Sequence, residues 1–335
     1  MKKPVLIAGT LAVLALCVGL AWAWQSFVQF RQQALALPEA TRVEVLAGDS
    51  VGQVLRRLEA QGVTHYDWRW RLLLRLQPVT IRTGEYLLPA TPRPGEVLAL
   101  LASGRVIQYR FTVVEGWTWR QLREALLARS ELSVDPASLE TGTVMQQLGS
   151  EETNPEGWFL PETYAFTRGE RALELLARAH QAMRAALAEA WETRATGLPL
   201  TTPYELLTLA SIIEKESAHA AERGQIAGVF TRRLQQGWRL ETDPTVIYGL
   251  GEGWDGDLRR RDLVADTPYN TYTRHGLPPT PIAMPGLSSL EAAARPLDGQ
   301  AMFFVSDGQG GHVFSDTLED HNRAVRQLIQ GNKGG

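Results

Sequence analysis

The sequence predicts an α+β fold behind an N-terminal transmembrane helix, and three features of the chain lead to this class. The first is an uncharged run, Pro4–Phe30, which is strongly apolar as far as Trp24. The second is a succession of segments with helical apolar spacing, mixed with short alternating segments that predict strands. The third is a pair of short strands, 301–306 and 312–315, joined by a glycine-rich turn that is typical of a β-hairpin.

Bulk composition excludes several classes of protein. The chain has 335 residues, enough for two or three domains, and a formal net charge of −3 without a long basic stripe, so we expect no nucleic-acid binding. Its single cysteine, Cys17, excludes an intramolecular disulfide and a cysteine-based metal site. The histidines form no His-x-x-x-His pair, and no G-x-S-x-G, Walker or Rossmann pattern occurs. We therefore expect neither a metal nor a cofactor.

The N-terminus has the pattern of a membrane anchor, assigned to residues 1–24. Lys2 and Lys3 precede the apolar run. A transmembrane helix needs about 20 apolar residues and a cleavable signal core about 7–15, so the length favours a retained anchor. Trp22 and Trp24 are expected at the far interface, where aromatic rings are favoured. The positive end stays in the cytoplasm, which places the rest of the chain outside it.

Two other fates of this segment are weaker alternatives. Ala21–Ala23 has the small-x-small pattern of a cleavage site, but the apolar run before it is long for a cleaved signal. Cys17 follows a sequence like a lipoprotein box, but Leu16 occupies a position that normally takes a small residue.

A small βααβ module is predicted over residues 42–106, after a linker at 25–41. A strand over 42–46 leads to one helix capped by Asp49 or Ser50 and another opened by Asp67; a strand pair over 81–88 and a helix over 96–102 follow. This arrangement resembles the LysM module, which binds the sugar backbone of cell-wall glycans. A packing or spacer role is the alternative.

The remaining chain is divided into a connecting α/β region, 107–200, and a catalytic region, 201–335. The segment 156–166 is expected to be a loop or short strand because of its glycine, proline and aromatic content. The stretch between the second catalytic helix and the C-terminal hairpin is expected to be rich in loops. The predicted elements are a strand at 107–114, a helix from Thr118 to Ala128, helical pieces within 133–150, helices at 170–194, from Thr202 or Pro203, and at 221–236, and a final helix at 318–330.

The helix Leu206–Ser217 carries two carboxylates beside an apolar face. On a helical wheel the centre of that face lies roughly 70° from Glu216 and roughly 90° from Glu214. A carboxyl held against apolar surface can stay protonated at neutral pH, as a general acid for glycosidic bond cleavage must. Wheel geometry alone hardly separates the two residues, and both could instead be solvated partners of Lys215 or Arg223.

Four motifs resemble those of the MltG-type (YceG-like) endolytic murein transglycosylases, and the resemblance covers nearly the whole chain. By this resemblance the general acid is Glu216, followed by Ser217, and Glu214 is a neighbouring group. The helix is then similar to the catalytic helix of lysozyme-like transglycosylases. The motifs are EGWFLPETY (156–164), SIIEKES (211–217), LETDPTVIYG (240–249) and YNTYTRHGLPPTPI (269–282).

The resemblance implies a lytic transglycosylase, a carbon–oxygen lyase that cleaves the β-1,4 bond between N-acetylmuramic acid and N-acetylglucosamine without water. One carboxyl protonates the leaving oxygen and then accepts the proton of the muramic C6 hydroxyl, which attacks to give a 1,6-anhydro end. It also implies peptidoglycan strands as the partner, action on nascent glycan beside peptidoglycan synthases, and a single-pass inner-membrane location with a periplasmic catalytic domain.

Further residues are candidates for substrate binding, each with an ordinary structural alternative such as core packing, capping or loop pinning. Two other functions stay open. A hydrolase using Glu216 with Asp243 would need a second carboxylate about 5–5.5 Å or about 6.5–9.5 Å away, for which Glu162 and Asp266 are also candidates. A non-catalytic glycan-binding scaffold would need no acid. The candidate binding residues are Trp158, Glu162, Tyr164, Ser217, Asp243, Thr245, Tyr269, Asn270 and Tyr272.

Overall fold

The structure, a computed structural model, describes residues 3–46, 48–217 and 219–331, and it confirms the α+β class. Helices are mixed with two-stranded sheets, three of them in the described ranges. The chain divides into two compact units, one reaching Tyr109 and including Thr167–Gly169, the other comprising Arg110–Phe166 and the chain from Glu170 onward.

The first unit has a long helix followed by a βααβ arrangement. Strands β1 and β2 pair antiparallel, with Thr41 opposite Leu88. Ser50 caps α2 through a capping box and Asp67 caps α3, as predicted. The expected strand pair around Thr83 is wrong, because a single strand begins at Gly84 and pairs with β1. The elements are α1 (Lys3–Gln32), β1 (Thr41–Val45), α2 (Val51–Ala60), α3 (Trp68–Leu76), β2 (Gly84–Leu88) and α4 (Pro94–Ser103).

Helix α1 runs without a break from the apolar N-terminal segment into the core of this unit. Residues Ile7–Gln32 have a mean hydropathy of 2.0, and Trp22 and Trp24 are exposed. Phe27 and Phe30, in contrast, are buried in the core formed with α2, α3, α4 and the sheet. The helix therefore continues through the first part of the segment expected to be a linker. Lys2 and the side chain of Lys3 lie outside the described residues.

The second unit begins within β3 and contains the predicted catalytic region. Thr118 and Thr202 cap α5 and α8, as expected, and β5 pairs antiparallel with β6 as the predicted hairpin. The elements are β3 (Gln108–Thr112), α5 (Trp119–Leu127), α6 (Thr141–Gln147), β4 (Thr163–Thr167), α7 (Ala172–Glu192), α8 (Pro203–Glu216), α9 (Ala220–Gln235), α10 (Asp243–Leu250), α11 (Arg260–Val264), α12 (Leu287–Ala294), β5 (Phe303–Ser306), β6 (His312–Ser315) and α13 (Leu318–Gly331), with 3-10 turns at Pro136–Leu139 and Gly251–Gly253.

Helix α8 is the centre of the second unit. Every residue from Leu206 to Glu214 is buried, because α7, α9 and α12 all pack against it. The first turn, with Pro203 exposed, and the last turn, with Lys215 exposed, emerge from the core. This differs from the amphipathic helix inferred from the sequence, which had two glutamates at the edges of a single apolar face.

The stretch expected to be loop-rich contains three short helices, α10, α11 and α12. Pro244 is tolerated in the first turn of α10, where a backbone N–H would have no helical acceptor. Helix α12 is built of small residues, and Ser289 and Ala293 are fully buried where it meets α8. These helices are stabilised by tertiary packing. Their own apolar spacing is too weak to predict them from the sequence.

Candidate active site

Glu216 is the last residue of α8, and its carboxyl lies in a partly buried position at the point where the helix leaves the core. The Thr242 hydroxyl, just before α10, donates a hydrogen bond to Glu216 Oε1. The pKa of Glu216 is raised from 4.5 to about 7, and burial is the largest cause. The Thr242 hydrogen bond lowers this pKa, and the negative charge of Asp243 raises it. The carboxyl can therefore hold a proton near neutral pH.

Charged and polar groups from three other elements surround this acid. The Tyr272 hydroxyl donates to Asp243 Oδ1 at 2.6 Å, which fixes that carboxylate beside Glu216. Arg233 and His312 exert positive potential on Glu216 and lower its pKa. Arg233 is buried and donates to the carbonyl oxygens of Met302 and Leu240 at 2.8 and 2.7 Å. The positive charge is thus held in a fixed place.

A network of threonines holds Thr242 in position. Its N–H donates to Thr271 Oγ1 at 3.1 Å, and its carbonyl oxygen accepts from Thr245 Oγ1 at 2.8 Å. Thr245 and Thr271 are also hydrogen-bonded to each other at 2.9 Å. The preceding residue, Glu241, has a φ of 51°, a left-handed conformation that costs about 1–3 kcal/mol in a non-glycine residue. The surrounding network maintains this turn and with it the donor to Glu216.

Glu214 has a different environment from Glu216. Its Oε1 accepts from Arg223 Nη2 at 2.8 Å, and its Oε2 accepts from the Gly286 N–H at 2.9 Å and the Ser289 hydroxyl at 2.8 Å. Both side chains of the ion pair are almost completely buried. A carboxylate that is fully engaged with a cation and two further donors is unsuited to exchanging a proton with a substrate. The structure therefore separates the two glutamates that the helical wheel left together.

Glu156 is a second buried acid, and sequence reasoning missed it although it opens the EGWFLPETY motif. Both its oxygens accept from the Trp119 N–H, at 2.9 and 3.1 Å, and its Oε2 accepts from the Tyr248 hydroxyl at 3.0 Å. Burial raises the pKa of Glu156 to about 7. The next residue, Gly157, has a φ of 83° and lies so close to Pro281 that a side chain would collide with it. In the sequence, the only sign of a buried acid at Glu156 was a Glu-Gly turn directly before an aromatic residue.

Glu156 and Lys215 line a cavity of about 650 Å³. Helix α10 contributes Pro244 and Tyr248 to its wall, and Trp254 follows α10. Two of the lining residues are chain neighbours of the acid site, because Lys215 precedes Glu216 and Pro244 follows Asp243. Its walls are aromatic and polar, as expected for sugar binding.

Three predicted binding residues lie on or near the segment 156–166, away from the acid's hydrogen-bond partners. The Trp158 ring is buried between Tyr204 and His180, with ring centroids 6.1 and 5.5 Å away. Tyr164 is also buried, and its hydroxyl donates to the Leu160 carbonyl oxygen at 2.8 Å. These placements favour the packing alternative for both rings. Glu162 is exposed.

The 269–282 segment uses its polar side chains mainly to hold its own shape. Asn270 is buried, donates to the carbonyl oxygens of Asp262, Leu263 and Ala265, and accepts from the Tyr272 N–H at 2.8 Å. The Tyr269 hydroxyl is 3.0 Å from Thr280 Oγ1. Asp266, a candidate second carboxylate, is paired with Arg274 at 2.7 Å, which lowers its pKa.

Ser217 and Asp243 are the predicted residues that lie closest in sequence to the acid and its donor. Ser217 caps the end of α8; its hydroxyl is buried, donates to the His219 carbonyl oxygen at 3.3 Å and accepts from the His219 N–H at 3.0 Å. Asp243 is exposed, and its negative charge raises the pKa of Glu216. Within the described ranges no group of three or more His, Cys, Asp or Glu side chains could hold a metal ion.

Glu216, its threonine donor Thr242 and the adjoining cavity define an enzyme-like cleft. The comparisons with known proteins assign its class. The family model described as the YceG-like family matches residues 43–327. The chain belongs to this family, which confirms the resemblance seen in the four motifs.

Individual relatives agree with this assignment. The chain is 30% identical over 305 residues to the endolytic murein transglycosylase of Bacillus subtilis strain 168, covering 86% of this chain and 84% of that protein. It is 26% identical over 322 residues to the endolytic murein transglycosylase of Streptococcus pneumoniae serotype 2 strain D39, covering 86% of this chain and 58% of that longer protein. The 2.6 Å crystal structure of a yceG-like protein from Listeria monocytogenes superposes with a TM-score of 0.57 at 28% identity, covering 85% of this chain and 98% of that one.

Proposed function

We propose that this protein is an endolytic peptidoglycan lytic transglycosylase in which Glu216 is the only essential acid. The observation that carries the proposal is the position of Glu216. Its carboxyl lies at the C-terminal end of a helix whose middle is buried and has a pKa of about 7. Among the described residues, Thr242 is the side-chain donor that it contacts. Membership in a family whose relatives are named endolytic murein transglycosylases supports the same activity.

The proposed reaction uses one carboxyl twice. Protonated Glu216 gives its proton to the oxygen of the β-1,4 bond between N-acetylmuramic acid and N-acetylglucosamine, and the bond breaks with the electron pair on that oxygen. The resulting carboxylate accepts the proton of the muramic C6 hydroxyl, whose oxygen attacks the anomeric carbon. The products are a 1,6-anhydro-muramoyl end and a new N-acetylglucosamine end. Thr242 and Arg233 stabilise the carboxylate between the two steps.

The direct test compares Glu216→Gln with a matched exposed glutamate variant, Glu291→Gln on α12. The substrate is un-crosslinked glycan, and the products are separated and weighed by mass spectrometry. We expect Glu216→Gln to keep its fold and lose cleavage by at least about 10²-fold, the usual contribution of a general acid. We expect Glu291→Gln to cleave normally. Undiminished 1,6-anhydro product from Glu216→Gln would refute the assignment.

A hydrolase remains a second candidate, because Asp243 lies close enough to raise the pKa of Glu216. In that mechanism Asp243 would activate water or attack the sugar, and Glu216 would act as acid. The Tyr272 hydrogen bond and the exposure of Asp243 are compatible with either role for this residue. Mass spectrometry separates the two reactions, because hydrolysis leaves a reducing end one water heavier than the anhydro end.

We further propose that the glycan passes from Glu216 into the cavity beside α10. Trp254 and Tyr248 offer aromatic surface for sugar rings, and Lys215 offers a cation for the acidic substituents of muramic acid. The Trp119 ring also lines this cavity and adds to its aromatic surface. Trp254→Ala should raise KM for glycan more than it lowers kcat.

The N-terminal unit is proposed to place this activity at the inner membrane. Helix α1 is long and apolar enough to span a bilayer, with its N-terminus cytoplasmic and the remaining domains periplasmic. The βααβ arrangement over 42–106 is proposed to be a LysM-like module that contacts glycan, and peptidoglycan synthases are proposed partners. Anchoring would restrict cleavage to nascent strands near the membrane and so terminate them.

A further inference from the structure

Helix α3 in the N-terminal unit has an outward face that packing does not explain. Its sequence, WRWRLLLRL, contains three arginines and no acid. Trp70 and Leu73 point inward and are buried. The opposite side carries Trp68, which is 42% exposed, and Leu76, which is 56% exposed.

Two arginines on this side have no carboxylate partner among the residues that the structure describes. Asp67, the N-cap, pairs with Arg69 at 2.6 Å and so neutralises the arginine nearest the core. Arg71 and Arg75 are exposed and form no ion pair with any residue in the described ranges. The Arg71 guanidinium lies 5.9 Å from the centre of the Tyr66 ring. The outward face of α3, comprising Trp68, Arg71, Arg75 and Leu76, is therefore both apolar and cationic.

The position of α3 along α1 indicates the height of this face above the apolar part of α1. Trp70 packs edge-on against Phe30 of α1, with ring centroids 5.2 Å apart. Phe30 follows the last exposed apolar residue, Trp24, by six helical positions, a rise of about 9 Å. The headgroup layer beyond the hydrocarbon core is about 5–8 Å thick on each side. Helix α3 thus lies at the outer edge of the headgroups if α1 spans the bilayer.

We propose that the outward face of α3 binds the membrane surface and prefers anionic lipid headgroups. Trp68 and Leu76 enter the interface, where tryptophan is favoured, and Arg71 and Arg75 pair with lipid phosphates. Transmembrane helices tilt by about 20° on average from the bilayer normal. Such a tilt of α1 would bring one side of the N-terminal unit closer to the headgroups. Because Phe27 and Phe30 fix α1 in the core of this unit, contact by α3 selects the direction of that tilt. This inference rests on the proposed membrane anchor.

The test uses the full chain in lipid nanodiscs. Cys17→Ser removes the only native thiol, and a fluorophore is attached either at Leu76→Cys or, as a control, at Leu46→Cys, an exposed leucine of the same unit outside α3. Quenching by lipids that carry a nitroxide on the headgroup gives the docked fraction, in discs of zwitterionic lipid alone or mixed with anionic lipid.

We expect strong quenching at Leu76→Cys, weak quenching at Leu46→Cys, and more docking in anionic discs. Each arginine should contribute about fivefold to the preference for anionic lipid, so Arg71→Gln with Arg75→Gln should reduce that preference about thirtyfold. The matched control pair, Arg42→Gln with Arg105→Gln on the same unit, should change it little.

Two results would overturn the proposal: equal quenching at both label positions, or docking that does not depend on lipid charge and on the two α3 arginines. An unquenched label at Leu76→Cys would point to a protein partner for this face. These outcomes differ from failure of the anchor, which would leave the chain outside the discs. They also differ from failure of the proposed reaction, since glycan cleavage by the same variants is measured separately in detergent.

Discussion

The most specific prediction concerns Thr242→Val, which should move the pH dependence of activity upward. The Thr242 hydroxyl donates to Glu216 Oε1, and this hydrogen bond lowers a pKa that burial raises. Valine has nearly the same shape but no donor. The ionised form of Glu216 loses a partner, so the proton should be held more tightly.

The magnitude follows from the ordinary strength of such a bond. A hydrogen bond to a charged group contributes about 1.5–3 kcal/mol, and one pKa unit corresponds to about 1.4 kcal/mol. The protonated carboxyl also interacts with the hydroxyl, so we expect a net rise of about one unit, to about 8. At pH 8 about half of the variant would then be protonated, against about one tenth of the wild-type protein.

The assay is kcat/KM for anhydro product formation from un-crosslinked glycan, measured from acidic to alkaline pH. Activity of the wild-type protein should fall as the pH rises through about 7, the pKa of the acid. Asp243→Asn removes a charge that raises this pKa, so its midpoint should shift downward. The control Thr163→Val removes an exposed hydroxyl that contacts Thr112 and lies outside the Thr242 network, so its midpoint should stay in place.

If the pH midpoints of Thr242→Val and Asp243→Asn moved in the same direction, the opposite effects assigned to these two residues would be refuted. The raised pKa itself would be refuted by a wild-type midpoint near 4.5, the pKa of an ordinary glutamate, because burial would then not have raised the pKa of the acid.

Three further predictions concern stability. Glu214→Gln removes the buried carboxylate partner of Arg223 and leaves only the half-exposed Glu115, 3.5 Å away, so it should cost about 3 kcal/mol in calorimetric unfolding. An unchanged melting temperature would contradict the buried ion pair. Glu156 has a folded pKa of about 7, above the ordinary 4.5, so the stability it contributes is full below pH 4.5 and is lost as the pH rises through 7. The unfolding free energy of the wild-type protein relative to Glu156→Gln should therefore fall by about 3 kcal/mol between these limits, and a pH-independent difference would contradict the raised pKa. Phe30→Ala should destabilise the N-terminal unit by about 3–5 kcal/mol and expose the chain after Gln32 to proteolysis, whereas the exposed Leu20→Ala should not.

Local signals in the sequence were sufficient for much of the fold. Capping residues such as Ser50, Asp67, Thr118 and Thr202 act on the backbone within a few residues, so their roles could be predicted without knowing the fold. The hairpin of β5 and β6 followed from a turn between alternating segments. Helices α10 and α12 were missed because their stability comes from distant packing on α8, which leaves no regular pattern in their own residues.

In the candidate site too, some features could be predicted from the sequence and others depended on tertiary packing. The four motifs placed Glu216 in a family and supplied its chemistry, since residue order is what such motifs record. The helical wheel alone hardly separated Glu216 from Glu214, because it assumes a single apolar face and does not show which other elements cover the helix. Tertiary structure separated the two acids: Arg223 and the start of α12 enclose Glu214, while Glu216 emerges beside Thr242.

By itself the sequence determined the apolar N-terminal helix, the mixed α+β class, the family and the residue expected to act as acid. Only the tertiary structure determined the environment of that acid, the buried Glu156 and the continuity of α1 with the first core. The physical reason is that propensity and capping act over a few residues. A pKa depends instead on burial and charges contributed by Asp243, Arg233 and His312, which only folding brings to Glu216.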